Sequence, residues 1–272
     1  MIHQNNSLNR GRVLLTGAGP GDPGLLTVKA REAIMLADVI LHDGLVNDSI
    51  LAFADPDAEI IDVSKRAGNP LFTQSKINEI MIQLAQEGNQ VVRLKCGDPF
   101  VFGRGAEEAL ALTEAGVDWE VIPGVSAGLA VPAYAGVPLT HRKLSSSVAF
   151  VTGQEDPNKP EAKVDWAKLA NAVDTIVIFM GLGQIRQIAN SLIEAGRHPN
   201  TPVAVVESGT YAHQRTVTGT LDNIAEAVID FQSPSLIIIG EVVDLRSALN
   251  WFDPTLRFTT ETQSHRAKIC SL

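Results

Sequence analysis

The sequence predicts an α/β protein built as two α/β domains with mostly parallel sheets. Three observations carry that prediction. Short apolar runs alternate with helix-patterned segments from residue 13 to residue 239, Gly- and Pro-bearing turns separate them, and the alternation breaks once, over residues 135–147.

Residues 13–16 form an apolar run that enters a Gly/Pro-rich turn at 17–24. Thr27 opens a helical pattern that lasts to Ala37, and 39–42 is the next strand. A helix over 73–86 is well marked, because Ile77, Ile80, Met81 and Leu84 recur at i, i+3, i+4 and i+7 and Gly88 is a natural stop. A strand at 90–94, a helix at 105–115 ended by Gly116, a strand at 117–122 and a helix at 126–134 complete the first set. After the irregular stretch 135–147, rich in Ser with Gly136 and Pro138, strands at 148–152, 174–180, 202–206 and 235–239 interleave with helices at 182–195 and 221–231. The Thr/Val alternation at 216–220 reads as an extra antiparallel strand. The domains are therefore expected at 13–140 and 147–252, with flexible tails at 1–12 and 253–272.

Composition narrows the function classes. Hydrophobic residues at 45% and charged residues at 19% are those of a globular chain. A formal charge of −9 argues against nucleic acid as partner, whose footprint is a basic patch. The longest apolar runs are far short of a membrane span, and the polar N-terminus has no signal-peptide core, so a cytoplasmic chain with no membrane partner is expected. Cys96 and Cys270 stand far apart and form neither a disulfide framework nor a zinc pattern; no metal site is expected.

The turn Gly17-Ala18-Gly19-Pro20-Gly21-Asp22 after the first strand looks at first like a dinucleotide fingerprint. Asp22 stands where that motif needs its third glycine, and Pro20 and Pro23 remove amide donors that a phosphate would use. Asp43, about twenty residues on, imitates the ribose-binding acid. A tight turn without ligand is the plainer alternative. Such a turn still lets backbone approach a ligand at the strand edge where open α/β sheets bind small molecules.

The specific signal is VRLKCGDPFVFGRGAEE at 92–108, taken with GAGPGDP at 17–23, HDGLV at 42–46, KRAG at 65–68 and PGVSA at 123–127. PAYAGVPLTHR at 132–142, MGL at 180–182 and GEVV at 240–243 follow. In this order they resemble the uroporphyrinogen III C-methyltransferase family of tetrapyrrole methylases over about 13–252. The pairing of Phe-Gly-Arg-Gly with two glutamates resembles that branch rather than the later precorrin methylases. The sequence departs from the family pattern at Cys96 and Ala106, where Gly is usual, at Ser64, also usually Gly, and at Phe179, usually Tyr.

The resemblance implies two α/β domains with a cleft between them, a homodimer, and methyl transfer from S-adenosylmethionine to carbons 2 and 7 of uroporphyrinogen III. The products are precorrin-2, for sirohaem or cobalamin synthesis, and S-adenosylhomocysteine. It implies cofactor contacts at Pro20, Cys96, Gly97, Asp98, Val101, Ser126, Ala127, Met180 and Gly209. Asp98 can accept from the ligand's ammonium, or serve instead as a turn carboxylate. Met180 offers a polarizable surface to adenine, or is a plain core residue. The tetrapyrrole carries carboxylates, so Arg66, Arg104 and Arg142 with Lys65 are the expected anchors, although lone surface cations are commonly just solvated. Glu107, three residues after Arg104, would orient it or form an ordinary helical pair. By resemblance Asp43 is the proton acceptor and Lys65 the proton donor, and burial raising the Asp43 pKa would make it a better base. Arg104 is read as anchor and electrostatic stabiliser. A later corrin methylase, a nicotinamide-dependent dehydrogenase and a non-catalytic tetrapyrrole binder are the competing functions.

Overall fold

The computed structural model describes residues 11–64, 73–154 and 164–253. Within them the chain forms two five-stranded sheets with helices against both faces of each.

The first sheet contains β1 (Arg12–Gly17), β2 (Val39–His42), β3 (Glu59–Asp62), β4 (Gln90–Lys95) and β5 (Asp118–Ile122) in the order β3-β2-β4-β1-β5, all parallel. Its central strands β1 and β4 are buried on both faces because helices cover both. Helices α1 (Val28–Met35) and α2 (Asp48–Leu51) pack Ala30, Ala33, Ile34 and Ile50 on one face, against Leu14, Ile40 and Val92. On the opposite face, α3 (Gln74–Gln86) and α4 (Gly105–Glu114) pack Ile77, Met81 and Leu112 against Val13, Leu15 and Val91. The helix predicted at 73–86 starts at its Thr73 cap, whose hydroxyl accepts from the Lys76 amide. Its innermost residues are Ile77, Met81 and Ala85, while Ile80 and Leu84 pack at the margin of the same cluster. Strand β3 and helix α2, each four residues long, have no counterpart in the sequence reading.

Helix α5 (Ala127–Tyr134), capped by Ser126, leaves the first sheet. Val131 and then Ala135 pack on Val177, Ala204, Val206 and Ile238 of the second. That sheet holds β6 (Val148–Thr152), β7 (Thr175–Phe179), β8 (Pro202–Glu207), β9 (Arg215–Thr220) and β10 (Ser235–Ile239), ordered β6-β7-β10-β8-β9. Its other face is covered by α6 (Trp166–Ala172), α7 (Ile185–Glu194) and α8 (Ile224–Ala227), and the short α9 (Arg246–Leu249) follows.

Here the expectation of a mostly parallel sheet needs correction. Only β6 and β7 pair in parallel; β10 is antiparallel to both β7 and β8, and β9 is antiparallel to β8 as predicted. Strand–helix alternation does make β7 parallel to β8, and β9 to β10. Each crossover skips one position, however, and a strand of opposite sense fills the gap. Sequence alternation fixes the direction of successive strands but not which strands become neighbours. The helix expected at 221–231 is also shorter, covering only Ile224–Ala227; beyond it Asp230 pairs with Arg215 at 2.6 Å and Phe231 lies beneath the same guanidinium.

Candidate functional site

The carboxyl ends of the first sheet converge on one edge, and glycines let them meet. Gly19 and Gly97 exchange backbone hydrogen bonds, at 2.8 and 3.2 Å, joining the β1 and β4 turns. Gly17 and Gly124 face each other so closely that a methyl on Gly124 would lie 2.2 Å from the Gly97 carbonyl oxygen and 2.7 Å from Gly17 Cα. The β8–β9 hairpin closes from the other half. Thr210 Oγ1 accepts from the Asp22 amide at 3.0 Å, and Tyr211 occupies the space that a Cβ on Gly21 would fill.

Between the two sheets these loops enclose a largely apolar cleft of about 440 Å³. Pro20, Cys96, Gly97, Val101, Ser126, Ala127, Met180 and Gly209 all line it, so eight of the nine residues expected at a cofactor come together. A side chain on Gly209 would strike Val131. Phe102, Met180 and Ser208 line the cleft in the left-handed backbone region, with φ of 54°, 53° and 49°. Such conformations cost about 1–3 kcal/mol each and gather at functional sites. Phe102 and Phe179 meet across the cleft with ring centroids 4.8 Å apart.

The ninth residue, Asp98, is not in the lining. Its carboxylate accepts from the Phe100 amide at 2.8 Å and the Gly124 amide at 3.1 Å, so it ties the β4 turn to the β5 turn. The turn-carboxylate alternative is the one the geometry favours. Cys96 does reach the cleft, and burial first, then the charge of Asp43, pushes its thiol up to about 11.

Asp43 follows β2 directly beside Gly44, which lines the cleft. Its carboxylate is held by Arg93 and lies 3.6 Å from Lys95 Nζ. Burial pushes its pKa up, but the two cations more than offset this and leave the group below the ordinary carboxylate value. The condition under which Asp43 would be a better base, a pKa raised by burial, is not met: the neighbours that outweigh burial lie fifty residues away in sequence. Arg104 caps α4 in the left-handed region, and Glu107 binds its guanidinium bidentately, at 2.8 and 2.5 Å. Arg142 sits on an exposed turn at 142–144 and does not line the cleft. Lys65 and Arg66 lie outside the described residues. The sequence reading missed Tyr211 and His213, which line the cleft from the hairpin and have no spacing signal linking them to the first turn. It also quoted Arg93, Lys95 and Glu108 only as part of a motif; two cations at i, i+2 in an otherwise apolar strand were the available sign that buried partners must exist.

A family described as Tetrapyrrole (Corrin/Porphyrin) Methylases matches residues 12–225. The chain is 49% identical over 243 residues to the S-adenosyl-L-methionine-dependent uroporphyrinogen III methyltransferase of Methanosarcina barkeri, covering 89% of this chain and 95% of that protein. It is 47% identical to the siroheme synthase of Blochmanniella pennsylvanica over 92% of its own length but only 52% of the relative's. The chain thus spans about half the length of the siroheme synthases it matches. Among solved structures, uroporphyrin-III C-methyl transferase from Thermus thermophilus complexed with S-adenyl homocysteine superimposes with a TM-score of 0.75. The two are 41% identical, with 86% of this chain and all of that one covered.

Proposed function

The chain belongs to the tetrapyrrole (corrin/porphyrin) methylase family, and from that premise we propose that it methylates uroporphyrinogen III at carbons 2 and 7 to give precorrin-2. The methyl donor is S-adenosylmethionine. The observation that carries the reading is the convergence of eight expected cofactor residues, from both halves of the chain, on one cleft. The cleft fits such a group: its volume lies in the usual range for small-ligand sites, its walls are mostly apolar, and Gly97 and Gly209 bring bare backbone to its lining.

Bound there, the sulfonium supplies a methyl that is already activated, so the protein's work is placement, exclusion of water and handling of one proton per transfer. Pro20, Cys96, Gly97, Val101, Ser126, Ala127, Met180 and Gly209 hold the cofactor in this reading, and Asp98 fixes the turn that carries Gly97. Arg104, oriented by Glu107, receives a substrate carboxylate, with Arg66 and Arg142 as further anchors. Methylation at carbon leaves the ring cationic, and Asp43 accepts the proton it sheds; Lys65 is the proposed donor. Asp43 is a weak base, yet a carbon acid next to a positive charge needs no strong one, and a low pKa keeps the carboxylate ionised at neutral pH. The dimeric state belongs to the same reading and rests on the resemblance, whereas the cytoplasmic location is the expectation drawn from the composition of the sequence. No helix among the described residues is long and apolar enough to cross a membrane.

The test is anaerobic incubation with uroporphyrinogen III and S-adenosylmethionine, followed by product mass. A gain of two methyl groups is expected. No gain from a protein that still binds S-adenosylhomocysteine would reject this substrate and redirect the search to later precorrins.

A further inference from the structure

Four ionisable side chains behind the cleft form a group that the proposed reaction has so far used only at its open end. Arg93 Nε donates to Glu108 Oε1 at 3.0 Å, and Lys95 Nζ donates to the same oxygen at 3.1 Å. Gln74 Nε2 also donates to it, at 3.2 Å. The two cations then reach Asp43, Arg93 at Oδ1 and Lys95 at Oδ2. Arg93 and Lys95 lie two residues apart on β4 and so project from one face of the strand, while Glu108 is delivered by the first turn of α4. Relative exposure is 1% for Arg93, 3% for Lys95 and 0% for Glu108, whereas the Asp43 side chain is 34% exposed. Three members are sealed, and the fourth stands beside the cleft.

We propose that Arg93, Lys95 and Glu108 are positioning residues for methyl transfer: Glu108 holds the two cations in place, and they fix the Asp43 carboxylate in one orientation and keep it ionised. The proposal rests on the reading of Asp43 as proton acceptor. Its physical basis is cost. Burying two cations and a carboxylate carries a desolvation penalty that apolar residues of similar size would avoid, so stability alone is a poor reason for the set. Glu108 Oε2 is buried with no hydrogen-bond partner among the described residues, a further cost. What the set delivers is a net-neutral cradle whose one open group is the carboxylate next to the cleft. The other ionisable groups close to Asp43 among the described residues are the Cys96 thiol and His42, whose Nδ1 lies 3.3 Å from the Asp43 carbonyl oxygen.

The test compares Lys95→Met, Lys95→Arg, Glu108→Gln and Asp43→Asn by anaerobic methyl transfer from pH 5 to 8. Turnover is expressed as a ratio to the parent enzyme, so that titration of the substrate cancels, and S-adenosylhomocysteine affinity is measured alongside. Lys95→Met is expected to lower kcat about tenfold at neutral pH, with KM and cofactor affinity nearly unchanged. Its ratio should fall further towards pH 5, because losing one cation lets burial raise the Asp43 pKa. Lys95→Arg should restore most of the rate. Glu108→Gln should lower kcat without that acid dependence, since removing a negative neighbour makes Asp43 harder to protonate. If Lys95→Met does not fold, Lys95→Gln is read in the same way. A pH-independent ratio in the Lys95 variant, with Asp43→Asn inactive but still binding cofactor, overturns the positioning role alone. Parental turnover in Asp43→Asn overturns the proton-acceptor reading and the cradle with it.

Discussion

Gly124→Ala probes the packing on which the cleft depends. The added methyl would sit 2.2 Å from the Gly97 carbonyl oxygen, and an ordinary contact begins near 3.4 Å, so one turn must move by about 1.2 Å. Neither side can yield by rotating a side chain, because the neighbours are the backbone of Gly97 and Gly17. Gly124 has no positive φ, so the substitution itself is not strained, and alanine's smaller unfolded-state entropy returns about 0.4–1 kcal/mol. Overpacking costs about 1–3 kcal/mol, leaving a net loss of roughly 1–2 kcal/mol. For a chain of this size that lowers the Tm by roughly 2–6 °C. The larger effect falls on cofactor affinity, since Gly97 lines the cleft and its Asp98-anchored turn shares the displacement. S-adenosylhomocysteine binding by calorimetry should weaken by at least about tenfold, or 1.4 kcal/mol. Gly183→Ala, where a methyl meets nothing within 4 Å, is the control and should change both readings little. Unchanged Tm and unchanged affinity in Gly124→Ala would refute the close approach of the three turns.

Asp43→Asn should destabilise the protein at neutral pH, with the difference from the parent shrinking as acid is added. A depressed carboxyl pKa contributes stability above the unfolded value of about 3.9 and loses it as pH falls through the lower folded value; chemical denaturation at pH 7 and at about pH 3, below the unfolded value, checks it. Tyr134 donates to Asp22 at 2.8 Å, and burial together with that bond pushes its phenol up to about 12. The chain has two tyrosines, and burial raises Tyr211 as well, so ultraviolet titration of Tyr134→Phe should remove the component that ionises near pH 12 and leave that of Tyr211. The sign of the linkage is that this phenol contributes stability below about pH 10, lost as pH rises towards 12. Cys96, half-buried in the cleft lining and with its thiol near 11, should alkylate more slowly with iodoacetamide at pH 8 in the native protein than once unfolded, as read by peptide mass; equal rates in the two states would contradict the raised pKa.

Local pattern and motif order were legible in the residues themselves. Short apolar runs between turns marked four of the five strands of the first sheet, helices were expected to begin at Thr73 and Ser126, which the structure makes their caps, and the ordered motifs from Gly17 to Val243 pointed to the family the comparisons support. These features act over a few residues, or over fixed spacings, and so leave a trace in one dimension. Asp98 was ambiguous because a carboxylate after Gly97 serves a ligand or a turn equally well until the Gly124 amide is seen against it. The strand senses of the second sheet depended on which positions the crossovers skip, which no local signal encodes. The state of Asp43 depended on Arg93, Lys95 and Glu108, brought from β4 and α4 by the parallel register of β2 and β4. By itself the sequence determined most of the elements, the glycine-rich turns, and the kinship. Only the tertiary structure decided strand neighbours and the charge around Asp43, because pairing partners and the balance of burial against Coulomb attraction are set by contacts between residues distant in the chain.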